Sequence, residues 1–291
     1  MFEYLDRGVA CAGKPPIDFD DIAERALALS RLTHGSIPLF QWRDGQPIGV
    51  ATGTLVEIGE RSLLVTAWHF VRDLRGDGVV VPISETEGHS LGGRSASNRG
   101  IDVSVIELEP QDVEALGRRY SRLRLSDIHD FRTPLLDEFL ICGYPWERQQ
   151  VGAGGGTIRA LAYRGVGYRG PHPDSLDVLW ETPFQEDIDF LVHFAEQGYG
   201  VDGRRAPVPA LAGMSGSSLW CITPGLVPSA LRVIGVQTAV WPSDWSKRTS
   251  GWVRSTLWAP IAGFIAQQWP DLRELLGQHF AEGQELPSEN A

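Results

Sequence analysis

The sequence contains little cysteine and no long apolar run. Its 291 residues include only three cysteines, Cys11, Cys142 and Cys221, and such an odd, scattered set does not predict a disulfide framework. Cys142 and Cys221 lie in apolar runs, which favours small buried thiols in a reducing compartment. No run approaches the roughly 20 apolar residues of a transmembrane helix. The segment from Met1 to Asp6 does not resemble a secretory signal, so we expect a cytoplasmic protein.

Basic residues are also in short supply. There are 26 Lys and Arg against 37 Asp and Glu, which gives a net charge of −11. Because binding to phosphate backbones or anionic lipids needs an excess of basic residues, we expect neither a nucleic-acid nor a membrane partner. The cysteine spacing does not indicate a metal site. The glycine-rich segment 152–157 lacks the Gly-Lys-Ser/Thr ending of a phosphate-binding loop, so we expect no cofactor.

Glycine and proline are plentiful, with 33 and 19 residues, and predict many turns between short strands in an all-β chain. Residues 1–35 read as an N-terminal extension with a short helix. Residues 36–125 hold a first group of strands, including Ser62 to Val71. A polar linker follows at 126–137. A second group of strands, which ends with Ser255 to Ala259, occupies 138–259, and residues 260–291 form a C-terminal helix, predicted at Asp271 to Phe280, and a polar tail.

The segment Gly213-Met214-Ser215-Gly216-Ser217 is the most informative motif. A serine hydroxyl is a weak nucleophile that needs a base and donors for the oxyanion. Glycines on both sides of Ser215 permit a sharp turn that directs the N–H groups of Gly213 and Ser215 to one point. We therefore predict Ser215 as a nucleophile and these two N–H groups as its oxyanion hole.

Two upstream segments supply the missing partners. The apolar run Leu63 to Phe70 contains His69 at its end, and Asp102 stands at the start of a β-branched run. The predicted roles are general base for His69 and orienting carboxylate for Asp102. The order His, Asp, Ser is one of the known arrangements of such a triad. Alternative carboxylates are found in the linker region, at Asp127, Asp130 and Asp137.

Together these segments resemble the trypsin-like (chymotrypsin-fold) serine peptidases. Thr66-Ala67-Trp68-His69 resembles their Thr-Ala-Ala-His motif, Asp102 to Ile106 resembles Asp-Ile-Ala-Leu-Leu, and Gly213 to Ser217 resembles Gly-Asp-Ser-Gly-Gly. The resemblance extends from about Ser36 to Trp258. It implies an all-β fold of two six-stranded antiparallel β-barrels, with His69 and Asp102 on the first barrel and the nucleophile on the second. It also implies endopeptidase activity on a protein or peptide substrate.

The resemblance has departures. Met214 stands where many family members carry an Asp that pairs with a newly cut N-terminus, so this activation switch is absent. We expect no cut near residue 36 to be needed, and a regulatory partner protein is one alternative form of control.

The resemblance further implies a pocket for the substrate side chain before the cleaved bond. Its floor is assigned to Pro209 and its walls to Thr238, Ala239 and Val240. These residues carry no charge, which predicts apolar or small side chains rather than Lys or Arg.

Two other functions compete with a peptidase. A catalytically silent relative would keep the fold and bind peptides or a partner protein, and active-site labelling separates it from an enzyme. An esterase of the α/β-hydrolase type would instead place its residues in the order Ser, Asp, His and alternate strands with helices. The order found here disfavours that reading.

Overall fold

The computed structural model describes most of the chain from residue 35 onward. The described residues are 4–5, 35–43, 46–74, 78–84, 87–130, 138–146, 150–152, 155–157, 161–167, 183–194, 197–200, 205–207, 211–221, 232–241 and 251–282. The helix that the sequence predicts within residues 1–35 lies outside this part, and so do residues 131–137 of the predicted linker.

Short strands dominate the described part of the chain. The strands are β1 (Tyr4–Leu5), β2 (Ser36–Arg43), β3 (Gln46–Ile58), β4 (Arg61–Ala67), β5 (Val80–Pro82), β6 (Gly88–Ser90), β7 (Ser95–Asn98), β8 (Val103–Glu107), β9 (Leu123–Arg124), β10 (Glu138–Gly143), β11 (Gln150–Gly152), β12 (Gly155–Thr157), β13 (Leu161–Gly167), β14 (Asp189–Phe194), β15 (Gln197–Gly200), β16 (Arg205–Pro207), β17 (Ser218–Cys221), β18 (Arg232–Trp241) and β19 (Gly251–Leu257). The helices are α1 (Trp68–Arg72), α2 (Pro110–Gly117), α3 (Trp258–Gln268) and α4 (Arg273–Glu282). The predicted all-β class is confirmed.

The first sheet is a curled half-barrel. Its strands follow the order β6-β5-β2-β3-β4-β8-β7, and β9 pairs in parallel with β3. It thus has eight strands where the resemblance implied six, and several of them, such as β6 and β9, are only two or three residues long. Strand β4 is buried on both faces: Leu64 packs among the residues inside this sheet, whereas Leu63 and Val65 belong to a cluster shared with the second sheet. A continuous apolar run is typical of a strand covered on both sides.

The second sheet closes on itself. Strands β10, β17, β18, β19, β14 and β13 pair in this order, and β13 pairs again with β10. All six pairings are antiparallel. This ring is the six-stranded barrel that the sequence predicted for the second half of the chain. Its interior is apolar, with Phe139, Ile141, Leu219, Ile234 and Val253 in one cluster. Closure leaves these six strands without an open edge.

Two of the predicted strands are wrong at their C-terminal ends. The run Ser62 to Val71 is a strand only to the end of β4, and α1 follows at once. The run Ser255 to Ala259 likewise changes from β19 to α3. Apolar residues continue across both boundaries, so hydrophobicity alone does not mark them. The change after β4 has a consequence for the site, because His69 is thereby placed in the first turn of a helix.

The C-terminal helices cover the junction of the two sheets. The predicted helix Asp271 to Phe280 is present as a 3₁₀ turn, Pro270–Leu272, followed by α4. The apolar side chains of α3, α4 and the turn join residues of both sheets in one buried group, called here the interface cluster: Trp258, Ile261, Ile265, Trp269, Leu272 and Leu276 pack there with Val56, Leu63, Val65, Leu140, Trp220 and Val236. None of the helices in the described ranges is long and apolar enough to cross a membrane.

Candidate active site

A continuous chain of hydrogen bonds joins the side chains of Asp102, His69 and Ser215. His69 Nδ1 lies 2.9 Å from Asp102 Oδ2, and His69 Nε2 lies 3.0 Å from Ser215 Oγ. A carboxylate only accepts, so a neutral ring carries its proton on Nδ1 and accepts from the serine hydroxyl at Nε2. The structure therefore brings together the three side chains that the sequence singled out.

Strand pairing explains why His69 and Asp102 meet. Strands β4 and β8 are neighbours, with Ala67 opposite Val103. The residues just after β4 and just before β8 therefore lie side by side at one edge of the sheet. The N–H of Trp68 donates to the Asp102 carbonyl at 3.0 Å, and the N–H of His69 donates to Asp102 Oδ1 at 3.0 Å. The imidazole is held on the sheet by the main chain as well as by its ring.

Asp102 occupies a left-handed turn. Its φ of +49° is the one positive value found for a non-glycine residue in the described ranges, and Asp is among the residues that tolerate this conformation. Two contacts hold the turn: the Asn98 side chain accepts from the N–H of Gly100 at 2.9 Å, and Thr256 Oγ1 donates to the carbonyl of Ile101 at 2.8 Å. The second contact comes from the second sheet, so both halves of the fold fix the position of this carboxylate.

The alternative carboxylates lie elsewhere. Asp127 Oδ2 accepts from the N–H of Arg124 in the turn after β9, and Asp137 falls outside the described residues. Both ring nitrogens of His69 are already engaged by Asp102 and Ser215. Among the candidates, the geometry assigns the carboxylate partner to Asp102.

The loop that carries Ser215 is tied to the first sheet by Thr52. The N–H of Thr52 donates to the Ser215 carbonyl at 2.8 Å, and Thr52 Oγ1 donates to the Gly213 carbonyl at 3.0 Å. The same hydroxyl accepts from the N–H of Tyr144 at 2.9 Å. Thr52 is fully buried. It fixes the serine relative to the sheet that bears His69. Nothing in the local sequence around Thr52 marks this contact, so the sequence alone does not point to it.

Two glycines give the loop its shape. Gly213 and Gly216 have φ values of +89° and +91°, a region that other residues rarely adopt. There is also no space for a side chain: a Cβ on Gly216 would lie 1.9 Å from the Thr52 carbonyl oxygen, and one on Gly213 would lie 2.9 Å from the N of Trp146. The motif therefore needs glycine at both positions for conformation and for room.

The amide N–H groups of this loop fall into two kinds. Those of Met214, Gly216 and Ser217 donate hydrogen bonds to main-chain carbonyls. Those of Gly213 and Ser215 have no hydrogen-bond acceptor among the described residues. These are the two donors that the sequence predicted for an oxyanion hole. Three amides of this loop are thus engaged, that of Gly216 by the Gln237 carbonyl on β18, and the pair on either side of Met214 is left available to another acceptor.

Met214 points into the second barrel. Its side chain is fully buried and packs in the same apolar cluster as Phe139, Leu211 and Leu219, and the Ser217 hydroxyl contacts its sulfur at 3.9 Å. A thioether in an apolar pocket stabilises the loop by packing and needs no charged partner.

The predicted substrate pocket is only partly visible. Pro209 lies outside the described residues. Thr238 is buried, while Ala239 and Val240 are half-buried, and a bulge interrupts the pairing of β18 with β19 between Gln237 and Ala239. The pocket role of these residues remains a prediction.

An ion pair is buried in the second sheet near Asp102. Arg254 Nη2 lies 2.7 Å from Asp189 Oδ2, and both side chains are almost fully inaccessible. Burial raises the pKa of the Asp189 carboxyl, Arg254 opposes that rise, and the negative charge of Asp102 adds to it. This pair connects β14 to β19, the strand that also supplies Thr256.

The comparisons with known proteins concern the fold. No protein-family model and no curated sequence matches the chain. Its structure is similar to the MamO protease domain from Magnetospirillum magneticum (12% identity, 76% of this chain and 92% of that chain covered, TM-score 0.43). It is also similar to the HtrA-type protease AlgW with tripeptide (15% identity, 78% of this chain and 58% of that chain covered, TM-score 0.44). A further similar structure is the thermostable serine protease AL20 from an extremophilic microorganism (12% identity, 77% of this chain and 91% of that chain covered, TM-score 0.44). These are chymotrypsin-fold proteases.

Proposed function

We propose that this chain is a serine endopeptidase that hydrolyses peptide bonds of a protein or peptide substrate. The observation that carries the proposal is the hydrogen-bond chain from Asp102 through His69 to Ser215 Oγ, beside two amide N–H groups without an acceptor in the described ranges. Nucleophile, base, orienting carboxylate and oxyanion donors are the four parts that acyl transfer needs.

The first half-reaction forms an acyl-enzyme. Ser215 Oγ attacks the scissile carbonyl carbon while His69 Nε2 takes the hydroxyl proton. Asp102 keeps the other ring proton on Nδ1 and stabilises the imidazolium that forms. The N–H groups of Gly213 and Ser215 donate to the oxyanion. When the tetrahedral intermediate collapses, the C–N bond breaks and His69 gives its proton to the leaving amine.

The second half-reaction uses water. His69 takes a proton from a water molecule whose oxygen attacks the ester carbonyl. The bond from the acyl carbon to Ser215 Oγ then breaks, and His69 returns the proton to the serine oxygen. The products are a carboxylic acid and the free enzyme, so no cofactor enters the balance.

We also propose that the enzyme forms its oxyanion hole without a proteolytic cut near residue 36. Met214 is buried among apolar side chains, so the loop that presents the donors has a partner for this side chain within the barrel. Cys142 and Cys221 are buried and have no disulfide partner. Such free thiols support the proposal that the protein functions in a reducing compartment such as the cytoplasm.

The test is covalent labelling of the full-length protein with a fluorophosphonate, followed by peptide mapping. We expect the label on Ser215, and we expect Ser215→Ala to lose labelling and several orders of magnitude of peptide hydrolysis while keeping its fold.

Ser217→Ala is the matched control. Ser217 lies two residues away on the same loop, and its hydroxyl contacts the Met214 sulfur rather than His69, so this variant should be labelled as the wild type is. A native chain that never reacts at Ser215 would contradict the proposal and favour a silent peptide-binding relative.

A further inference from the structure

Trp146 presents an exposed indole beside the loop that carries the nucleophile. Its side chain is 43% exposed, and Leu275 on α4 is the one other large apolar side chain that is exposed in the described ranges. A single exposed apolar side chain is ordinary on a protein surface, so the position of Trp146 decides its meaning. That position is next to the oxyanion donors.

The main chain at Trp146 is anchored to the site. Its N–H donates to the Ala212 carbonyl at 2.7 Å. Two residues earlier, Tyr144 donates its N–H to Thr52 Oγ1 at 2.9 Å and its hydroxyl to the Ser36 carbonyl at 3.3 Å. The segment that carries the indole is therefore held by the nucleophile loop and by the first sheet.

Gly213 brings apolar surface close to the oxyanion donors. A Cβ added to Gly213 would lie 2.9 Å from the Trp146 nitrogen and 3.2 Å from Val50 Cγ1. Trp146 and the half-buried Val50, called here the apolar border, thus adjoin the residue whose N–H is one of the two proposed oxyanion donors. A substrate advances by about 3.3–3.6 Å per extended residue, so its first two residues beyond a carbonyl bound at Gly213 are within reach of this border.

Strand order determines which side of the cleaved bond faces the border. Strand β17 lies between β10 and β18 and is antiparallel to both. The segment that follows β10, with Trp146, and the late part of β18 therefore flank the nucleophile loop on opposite sides. The pocket that the sequence predicts for the side chain before the cleaved bond is on β18, at Thr238 to Val240. The apolar border is on the other side, where the substrate continues after the cleaved bond.

The chemistry of the border defines its occupant. An indole and a valine methyl carry no charge, and an aromatic or large aliphatic side chain laid against them removes apolar surface of both partners from water. An aromatic side chain gains a further contribution from ring packing on Trp146. A Lys or Arg head group could also stack on the indole, but Val50 would cover part of the charge and offer it no acceptor.

We infer, on the basis of the proposed peptidase function, that Trp146 and Val50 select substrates with an aromatic or large aliphatic side chain at the first or second position after the cleaved bond. This selectivity acts on the leaving segment of the substrate. It belongs to the acylation step, because the segment departs when the C–N bond breaks and the acyl-enzyme no longer contacts the border.

The experiment is a cleavage profile of an unbiased peptide library by mass spectrometry, followed by kcat/KM for matched peptides that differ only in Phe or Ser at the selected position. We expect the Phe peptide to exceed the Ser peptide by about 10-fold, the effect of one well-packed aromatic contact. Equal values, or a preference for Lys or Arg at that position, would overturn the inference.

Trp146→Ala tests the indole through the leaving segment. Two substrates with the same residues before the cleaved bond are compared: a peptide that continues after it with the preferred residue, and an aminocoumarin amide that has no amino acid there. The ratio of their kcat/KM values should fall by about 10-fold in Trp146→Ala and stay near the wild-type ratio in Trp146→Phe. A loss of equal size on both substrates would show that Trp146 only supports the loop, and would overturn the inference.

Leu275→Ala is the matched control. Leu275 is the other exposed large apolar side chain and lies on α4 near Gly59, so its profile and its ratio should match the wild type. A wild-type protein that is not labelled by the fluorophosphonate, or that cleaves no peptide, contradicts the peptidase function and this inference with it. Normal labelling and cleavage with an unchanged ratio in Trp146→Ala contradicts the inference alone.

Discussion

Replacing Gly216 by alanine should damage both stability and the site. The new Cβ would lie 1.9 Å from the Thr52 carbonyl oxygen and 2.5 Å from Thr66 Oγ1, whereas ordinary C···O contacts are about 3.3 Å or more. The backbone would thus have to move by more than about 1 Å. A φ of +91° adds strain for an alanine.

The expected cost follows from these two effects. Strain in a disfavoured backbone conformation and overpacking cost about 1–3 kcal/mol each, against a total stability of about 5–15 kcal/mol for a domain. The clash also displaces Thr52, whose N–H holds the Ser215 carbonyl. A shift of about 1 Å between nucleophile and base lowers rates by about 100-fold.

Urea unfolding and the rate of fluorophosphonate labelling measure the two consequences separately. Gly263→Ala is the control, since Gly263 lies in α3 and a Cβ there meets nothing within 4 Å. That variant should be more stable by about 0.5–1 kcal/mol and be labelled normally. If Gly216→Ala unfolds at the wild-type midpoint and labels at the wild-type rate, the steric reasoning is refuted.

Three further predictions concern the junction, the thiols and the N-terminus. Thr256→Val should lose the hydrogen bond to the Ile101 carbonyl, in the turn that carries Asp102, and should slow labelling of Ser215 without unfolding the protein. Thr256→Ser should restore the labelling rate. Equal rates in the wild type and both variants would exclude a positioning role for Thr256. Burial raises the pKa of Cys142 to about 12 and that of Cys221 to about 11. At pH 8 both thiols should therefore resist alkylation by iodoacetamide until urea unfolds the chain. Rapid alkylation of the native protein would contradict this prediction. Full-length protein should label as readily as protein trimmed before Ser36, and labelling only after trimming would disprove the absence of an activation cut.

The sequence was sufficient for the three side chains of the hydrogen-bonded site and insufficient for the residues that hold them in place. Ser215, His69 and Asp102 each stand in a short motif whose composition is visible locally, so they could be chosen before any coordinates. Thr52 and Thr256 act on carbonyl groups 161 and 155 residues away in the chain. Contacts of that range depend on how two sheets pack, and a hydroxyl in a strand gives no local indication of its partner.

Helix boundaries show a similar limit. The apolar run through Trp68 continues the hydrophobicity of β4, but the main-chain bond from its N–H to the Asp102 carbonyl belongs to the turn into α1. The pairing that makes this contact available is between β4 and β8, which are separated along the chain.

The exchange of threonine hydrogen bonds between the two sheets makes the site depend on both of them. Thr52 of the first sheet holds the loop that carries Ser215, while Thr256 on β19 of the second sheet holds the turn that carries Asp102. Folding of either sheet alone therefore leaves the acid or the nucleophile loop without its support, and the hydrogen-bonded arrangement of Asp102, His69 and Ser215 forms only when the two sheets have packed together.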